Sequence, residues 1–299
     1  EMLRSLVGSE MCIRDRNYII LLLAVLGLVA CQNGNRQQDE KILTVSIEPV
    51  RYFAEAIAGE HFKVVSMVPE GGNPETYDPT PQQMVKLNKS QAFLRIGYIG
   101  FEQVWMDKLT KNVPQMKVFD LSKGVQLLQG ECHGHAHQGH ETGVEPHIWN
   151  SIPNARVIAD NVYQALCKLD EPNREYYRAR TDSLMGVIGQ LEMEVKAHLA
   201  GSQGAFLIYH PALSYLARDY GWEQISIEEG GKEPSPAHLQ QIIRQCKEKK
   251  VKTVFIQKEF DSRNAEIIAR EIGAEVVEIN PLNYHWDAEM RHIAKVLGN

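Results

Sequence analysis

Apolar positions along this chain alternate between short β-branched runs and longer amphipathic stretches. "ILTVSI" (42–47), "KVVSMV" (63–68), "AFLRI" (92–96) and a brief run at 117–119 read as strands, because branched side chains suit a pleated, buried surface. Helical stretches begin near Pro49, Pro81 and Phe101. After residue 200 the pattern restarts: strands at 205–209, 224–227, 253–257 and 275–279, with helices near 211–220, 236–249, 262–272 and 286–297. Strand-helix alternation predicts parallel sheets covered on both faces. The expected fold is therefore α/β, with two lobes, each a small, mostly parallel sheet flanked by helices. Thr80-Pro81 and Ser235-Pro236 put a capping hydroxyl before a proline at a helix start in both halves.

Between the two runs lies the longest helical stretch, from Asp170-Glu171-Pro172 to about Ala200. Leu184, Val187, Ile188, Leu191, Val195 and Leu199 recur at three- and four-residue spacing and predict one apolar stripe. At 1.5 Å per residue the stretch spans roughly 40 Å, long enough for a rigid spine joining the lobes. The expected organisation is a leader and signal peptide at 1–31, a tether at 32–40, an N-terminal lobe at 41–170, a linking helix at 171–200 and a C-terminal lobe at 201–299.

The N-terminal segment changes the picture of where the chain works. Arg14 and Arg16 precede "NYIILLLAVLGLVA", an apolar run that is short for a bilayer span but suited to a signal-peptide core. It ends in Leu28-Val29-Ala30-Cys31, which resembles a bacterial lipobox. Cys31 is then the lipidated first residue of a mature protein held at the periplasmic or outer surface of a bacterial membrane. An ordinary cleaved signal or a short anchor is the alternative. Residues 1–13 read as foreign to a signal peptide, like the product of a sequence join. Of the remaining cysteines, Cys132, Cys167 and Cys246 show no C-x-x-C spacing and no disulfide framework. An exported protein could pair Cys167 with Cys246, but the spacing gives no support, and both are expected to be buried thiols. The formal charge of −6 and the scattered basic residues argue against a nucleic-acid partner. A monomer is expected.

Histidine carries the candidate chemistry. "ECHGHAHQGHETGVEPHIWN" (131–150) holds five of the eleven histidines. His133, His135, His137 and His140 sit in a loop (131–141) with nothing apolar to bury, a composition suited to weak metal collection. His147 differs, lying between Pro146 and Ile148-Trp149 at the entry to an ordered element. His210 ends the strand "AFLIY", and the C-terminal strand edge is where ligands bind in open α/β sheets. Glu75 projects from the Gly/Pro loop "PEGGNPETYDPTPQQM" (69–84), again after a strand. One histidine per lobe, beside a histidine-rich loop, points to a metal held between lobes.

Three segments then fall into a known pattern. "NPETYDP" (73–79), "EPHIW" (145–149) and "HPALSYLARDYG" (210–221) stand in the order seen in the metal-binding lipoproteins of bacterial zinc and manganese ABC importers. The chain resembles this zinc-uptake solute-binding family over nearly the whole mature part, including the long helix and the closing "INPL". Family members carry D-P-H-x-Y-x-P, a histidine-rich acidic loop before D-P-H-I-W, and H-x-A-x-x-Y. The resemblance implies His147 and His210 as ligands. It places Glu75 where the family has its first histidine, and Asn280 where many members carry the acid of L-D-P-L, a frequent fourth ligand. It also implies an ABC permease as partner and a lipid-anchored carrier that is not an enzyme. A carboxylate and two imidazoles suit Zn²⁺, with water completing a tetrahedron; the carboxylate shifts the site slightly towards Mn²⁺. The histidine-rich loop argues for zinc, because manganese members generally lack it.

Two other readings use the same residues differently. A zinc-dependent hydrolase needs a general base, for which Glu145 or Glu259 is conceivable, but the chain has no H-E-x-x-H, G-x-S-x-G or P-loop. A binding protein for a chelated metal needs a large pocket and leaves the histidine loop unexplained.

Overall fold

The computed structural model describes residues 40–129, 143–228, 234–258 and 260–299. Cys31 and the loop histidines His133, His135, His137 and His140 lie outside these residues. The N-terminal lobe contains β1 (Ile42–Val45), α1 (Glu48–Ala58), β2 (Lys63–Ser66), α2 (Pro81–Leu87), β3 (Ser90–Arg95), α3 (Gly100–Asn112) and β4 (Lys117–Asp120). Next come α4 (Ile152–Leu169) and the long α5 (Arg174–Leu199). The C-terminal lobe contains β5 (Ala205–Ile208), α6 (Ser214–Tyr220), β6 (Glu223–Ser226), α7 (Pro236–Glu248), β7 (Thr253–Gln257), α8 (Arg263–Ile272), β8 (Glu275–Ile279) and α9 (Trp286–Leu297).

Both sheets are parallel and share one topology, β2-β1-β3-β4 and β6-β5-β7-β8. The two-lobe α/β expectation therefore holds, and the lobes match strand for strand. In each sheet the order reverses beside the first strand, and the crevice outside the strand ends at such a point is where ligands bind. β5 is central and buried along its whole length, whereas the edge strand β8 exposes most of its side chains, as central and edge positions in a covered parallel sheet require.

Local signals set the helix starts. The Thr80 hydroxyl accepts from the Gln83 amide, and Gln83 reaches back to the Thr80 amide in a capping box. The Ser235 hydroxyl accepts from the His238 amide. The helix α4 has no counterpart in the sequence expectations. Its start was nevertheless written in the chain, since Ser151 caps it by accepting from the Asn154 amide and a proline occupies its first turn. The stripe expected on α5 needs one correction. Its buried residues are Tyr177, Thr181, Leu184, Ile188, Leu191, Val195 and Leu199, while Val187 is 41% exposed. Val187 lies one position off the buried row, and the spacing rule cannot separate neighbours at the edge of a stripe.

α5 packs against α1, α4 and α9. Arg180 donates to the Ala56 carbonyl of α1 at 2.8 Å, and Arg291 of α9 pairs with Glu194 at 2.5 Å. One continuous core runs through α1, α4 and α5 to Phe206, Ile208, Phe255 and Trp286 of the second lobe. A smaller core lies on the other face of the second sheet, around Ile225, Ile242, Val254 and Ile268. Cys167 and Cys246 are buried free thiols. No helix among the described residues is long and apolar enough to cross a membrane.

Candidate metal centre

The C-terminal ends of the strands in both lobes converge on one small cavity. Its walls are Asn73, Pro74 and Glu75 from the loop after β2, His147 and Trp149 from the turn before α4, His210 and Ala212 after β5, Gln257 at the end of β7 and Phe260 after it, and Pro281 and Leu282 after β8. The ligand-capable atoms of Glu75, His147 and His210 lie within 4.8 Å of one another. The three residues are 135 positions apart from first to last, and folding brings them into one shell.

Each histidine is held by a carboxylate on its rear nitrogen. His147 Nδ1 pairs with Glu145 Oε1, and the His147 amide donates to the same oxygen at 3.1 Å. His210 Nδ1 pairs with Glu228 Oε2 at 2.6 Å. A carboxylate there accepts a hydrogen bond from Nδ1–H, which keeps the proton on that nitrogen and turns the Nε2 lone pair of each ring forward. The two Nε2 atoms face each other at 3.2 Å. With Zn–N bonds of about 2.0–2.1 Å, two corners of a tetrahedron are roughly 3.3 Å apart. The imidazoles are thus already spaced as two ligands of one small ion.

The rings cannot swing freely. His210 stacks on Phe260 with centroids 4.9 Å apart and planes 13° apart. Its amide donates to Gln257 Oε1, and Gln257 Nε2 donates to its carbonyl, both at 3.0 Å. His147 meets Trp149 edge-on at 5.2 Å. Glu145 is fixed in turn: Ser214 Oγ donates to its Oε2 at 3.2 Å, and the Tyr215 hydroxyl donates to its carbonyl at 2.8 Å. Burial alone would push the His147 pKa down, but the charge and hydrogen bond of Glu145, with Glu75 and Glu228 beyond, outweigh it and hold the pKa above the ordinary imidazole value. Burial likewise opposes ionisation of Glu145, and the facing imidazoles reverse that effect and lower its pKa.

Glu75 sits on the N-terminus of α3. The Phe101 amide donates to the Pro74 carbonyl at 2.9 Å, and the Gly100 amide donates to Glu75 Oε2 at 3.2 Å. These amides belong to the first turn of α3 and have no partner inside the helix. Glu75 Oε1 is buried and has no hydrogen-bond partner among the described residues. A buried carboxylate oxygen without a partner is costly, and a cation between the imidazoles would satisfy it. The β3–α3 loop that presents Gly100 is itself pinned by Glu102, whose carboxylate accepts from the Ser46 hydroxyl and from the Ile96 and Gly97 amides. Burial of Glu102 pushes its pKa up to about 7.

Asn280 is placed otherwise. Its Oδ1 accepts from the Leu282 amide at 3.0 Å, closing its own turn, and the residues of that turn at the cavity wall are Pro281 and Leu282. Glu228 was absent from the sequence expectations and Glu145 was weighed only as a base. The one legible signal was Glu145 standing two residues before His147; Glu228 precedes a Gly-rich stretch and looked like any loop acid. Glu259 lies outside the described residues.

The cavity holds about 20 Å³, enough for one water-sized occupant. Chelates and organic ligands take cavities of roughly 300–1,000 Å³, so the enclosed space suits a bare ion.

Known proteins resemble this chain in sequence and in fold. A solved ZnuA deletion mutant with zinc bound superposes with a TM-score of 0.79 at 35% identity, covering 87% of this chain and 97% of that one. The high-affinity zinc uptake system protein ZnuA of Bacillus subtilis is 26% identical over 273 residues, 88% of this chain and 85% of its own length. The manganese ABC transporter substrate-binding lipoprotein PsaA of Streptococcus anginosus is 24% identical over 271 residues, 85% of this chain and 84% of its own. The model of the family "Zinc-uptake complex component A periplasmic" matches residues 43–297, and the chain belongs to that family.

Proposed function

We propose that this chain is the extracytoplasmic solute-binding protein of a metal ABC importer, which captures Zn²⁺ between its lobes and delivers it to a membrane permease. One observation carries the choice of ligands: Glu75, His147 and His210 converge with their donor atoms within 4.8 Å, with a carboxylate behind each imidazole. Two nitrogens and one carboxylate oxygen, with water in the fourth position, make a tetrahedral zinc site. The zinc-uptake relatives support this cargo. A cavity of about 20 Å³ suits carriage of a bare ion better than hydrolysis of an organic substrate.

Manganese is the second reading, favoured by the carboxylate at position 75 and by the PsaA relative. The lipoprotein names among the relatives support a lipid anchor at Cys31 in a periplasmic or surface protein. Residues 131–141, with His133, His135, His137 and His140, act in this proposal as a low-affinity collector that raises the metal concentration beside the tight site.

Elemental analysis of the purified chain, followed by competition titration against chelating dyes for Zn²⁺ and Mn²⁺, tests the proposal. One tightly held zinc per chain is expected, surviving deletion of residues 131–141. Loss of the tight phase on that deletion, with Glu75→Ala leaving it intact, would reverse the assigned roles.

A further inference from the structure

Glu75 stands where the family's pattern has a histidine, and the structure shows how a carboxylate is accommodated there. Its two oxygens are not equivalent. Oε2 accepts from the Gly100 amide at 3.2 Å, while Oε1 is buried without a partner among the described residues. The carboxylate is also pressed onto the helix start. A Cβ at Gly100 would come within 2.5 Å of the Glu75 carbonyl oxygen, 2.9 Å of Oε2 and 3.0 Å of its Cα. Two of these atoms are backbone, so a side chain at position 100 cannot be accepted by a rotamer change.

We propose that Gly100 is a specificity-determining residue of the metal site: its amide draws one oxygen of Glu75 onto the helix start, leaves the unpartnered oxygen as the favoured donor to the ion, and thereby favours four-coordinate Zn²⁺ over Mn²⁺. The inference rests on the metal-capture reading above and deepens it. Coordination number is its physical basis. Zinc is satisfied by two imidazoles, one carboxylate oxygen and one water, whereas manganese prefers an octahedral, oxygen-rich shell. With Oε2 drawn onto the helix start, the site favours a single carboxylate oxygen beside two imidazoles, short of the oxygen-rich shell that manganese prefers. The same carboxylate that hardens the donor set is thus disfavoured from enlarging it.

The arrangement is enforced from two sides. The Phe101 amide holds the Pro74 carbonyl at 2.9 Å, and the Glu75 amide donates to Asn73 Oδ1 at 2.9 Å. The Glu75 backbone is therefore registered to the first turn of α3, and Oε1 is the oxygen left without a hydrogen-bond partner among the described residues.

The test is Gly100→Ala in the full chain, read by competition titration with Zn²⁺ and Mn²⁺ and by the visible spectrum of the Co²⁺-loaded protein. The wild type is expected to give the intense visible bands of tetrahedral Co²⁺. In Gly100→Ala, zinc affinity should fall by roughly 10–100-fold, the usual effect of removing a group that orients a ligand. Manganese affinity should fall less, so the Zn/Mn ratio narrows and the Co²⁺ bands weaken. On a Glu75→Ala background the backbone clash remains, but Gly100→Ala should no longer change the Zn/Mn ratio, because the carboxylate through which it acts is gone. Glu75→Asp keeps the charge but cannot reach both the amide and the ion, and should narrow the ratio in the same way if Gly100→Ala does not fold. An unchanged Zn/Mn ratio in the folded variant, or a full effect of Gly100→Ala on that ratio without Glu75, overturns the inference. Absence of tight zinc binding in the wild type is a separate result and overturns the metal-capture reading itself.

Discussion

His147 and His210 each present one nitrogen to the cavity because the other is occupied by an acid, and the strength of the site follows from both halves of that arrangement. His147→Ala and His210→Ala should each weaken zinc binding by orders of magnitude in a dye competition; unchanged affinity in either would remove it from the ligand set. Glu145→Gln and Glu228→Gln leave the ligands in place but loosen tautomer and orientation, and should cost roughly 10–100-fold. The pH dependence has a definite sign. In the metal-free protein the His147 pKa lies above its ordinary value, so its contribution to stability is present below the unfolded value near 6.5 and is lost as pH rises through the folded pKa. Zinc needs the neutral ring, so the zinc-bound protein responds in the opposite direction. The rise in Tm on adding zinc should shrink between about pH 8 and 6. A rise independent of pH over that range would argue for an all-oxygen site.

At the scale of elements, the β3–α3 loop and α5 make separate predictions. Glu102 ties Ser46 after β1 to the loop after β3, at the reversal point of the first sheet. Its pKa rises from 4.5 to about 7 on folding because the carboxyl is buried. Folding then takes up a proton between those values, and the stability so linked is lost as pH climbs from the first to the second, by up to roughly 3 kcal/mol. Glu102→Gln should flatten that part of a urea-midpoint profile. On α5, Ile188 is fully buried while its neighbour Val187 is 41% exposed. Ile188→Ala should cost about 2–5 kcal/mol and Val187→Ala within about 0.5 kcal/mol. Equal losses would mean that the helix is rotated from the face described.

Across the whole molecule, the segment that carries His147 is bonded into the opposite lobe. The Trp149 indole donates to the Pro281 carbonyl at 2.8 Å, the Trp286 indole donates to the Trp149 carbonyl at 2.7 Å, and Asn150 Nδ2 donates to the Ala212 carbonyl at 2.9 Å. Further out, the Tyr284 hydroxyl reaches Glu55 of α1 at 2.6 Å. With a shared core and α5 packed against elements of both lobes, wide opening would break many contacts at once. Metal should therefore enter and leave through local movement of the Glu75 loop and the β8–α9 turn. Solution scattering should give the same radius of gyration with and without zinc. A clear compaction on loading would show a hinge that these contacts do not permit.

Much of this was legible along the chain because it is local. Strand and helix periods, the Thr80 and Ser235 caps and the strand-end position of His210 depend on neighbours within a few residues, where spacing and side-chain chemistry act directly. The motif order named the family, and with it Glu75, His147 and His210 as candidates. Other features depend on which strand ends face each other. The pairing of His210 with Glu228, the split roles of the Glu75 oxygens, the approach of Gly100 and the Trp149–Trp286 lock join residues 18 to 137 positions apart. No periodicity relates such positions. They meet because two sheets of the same topology turn their C-terminal edges towards one cavity, and burial there leaves each polar group only the partners that the fold brings to it.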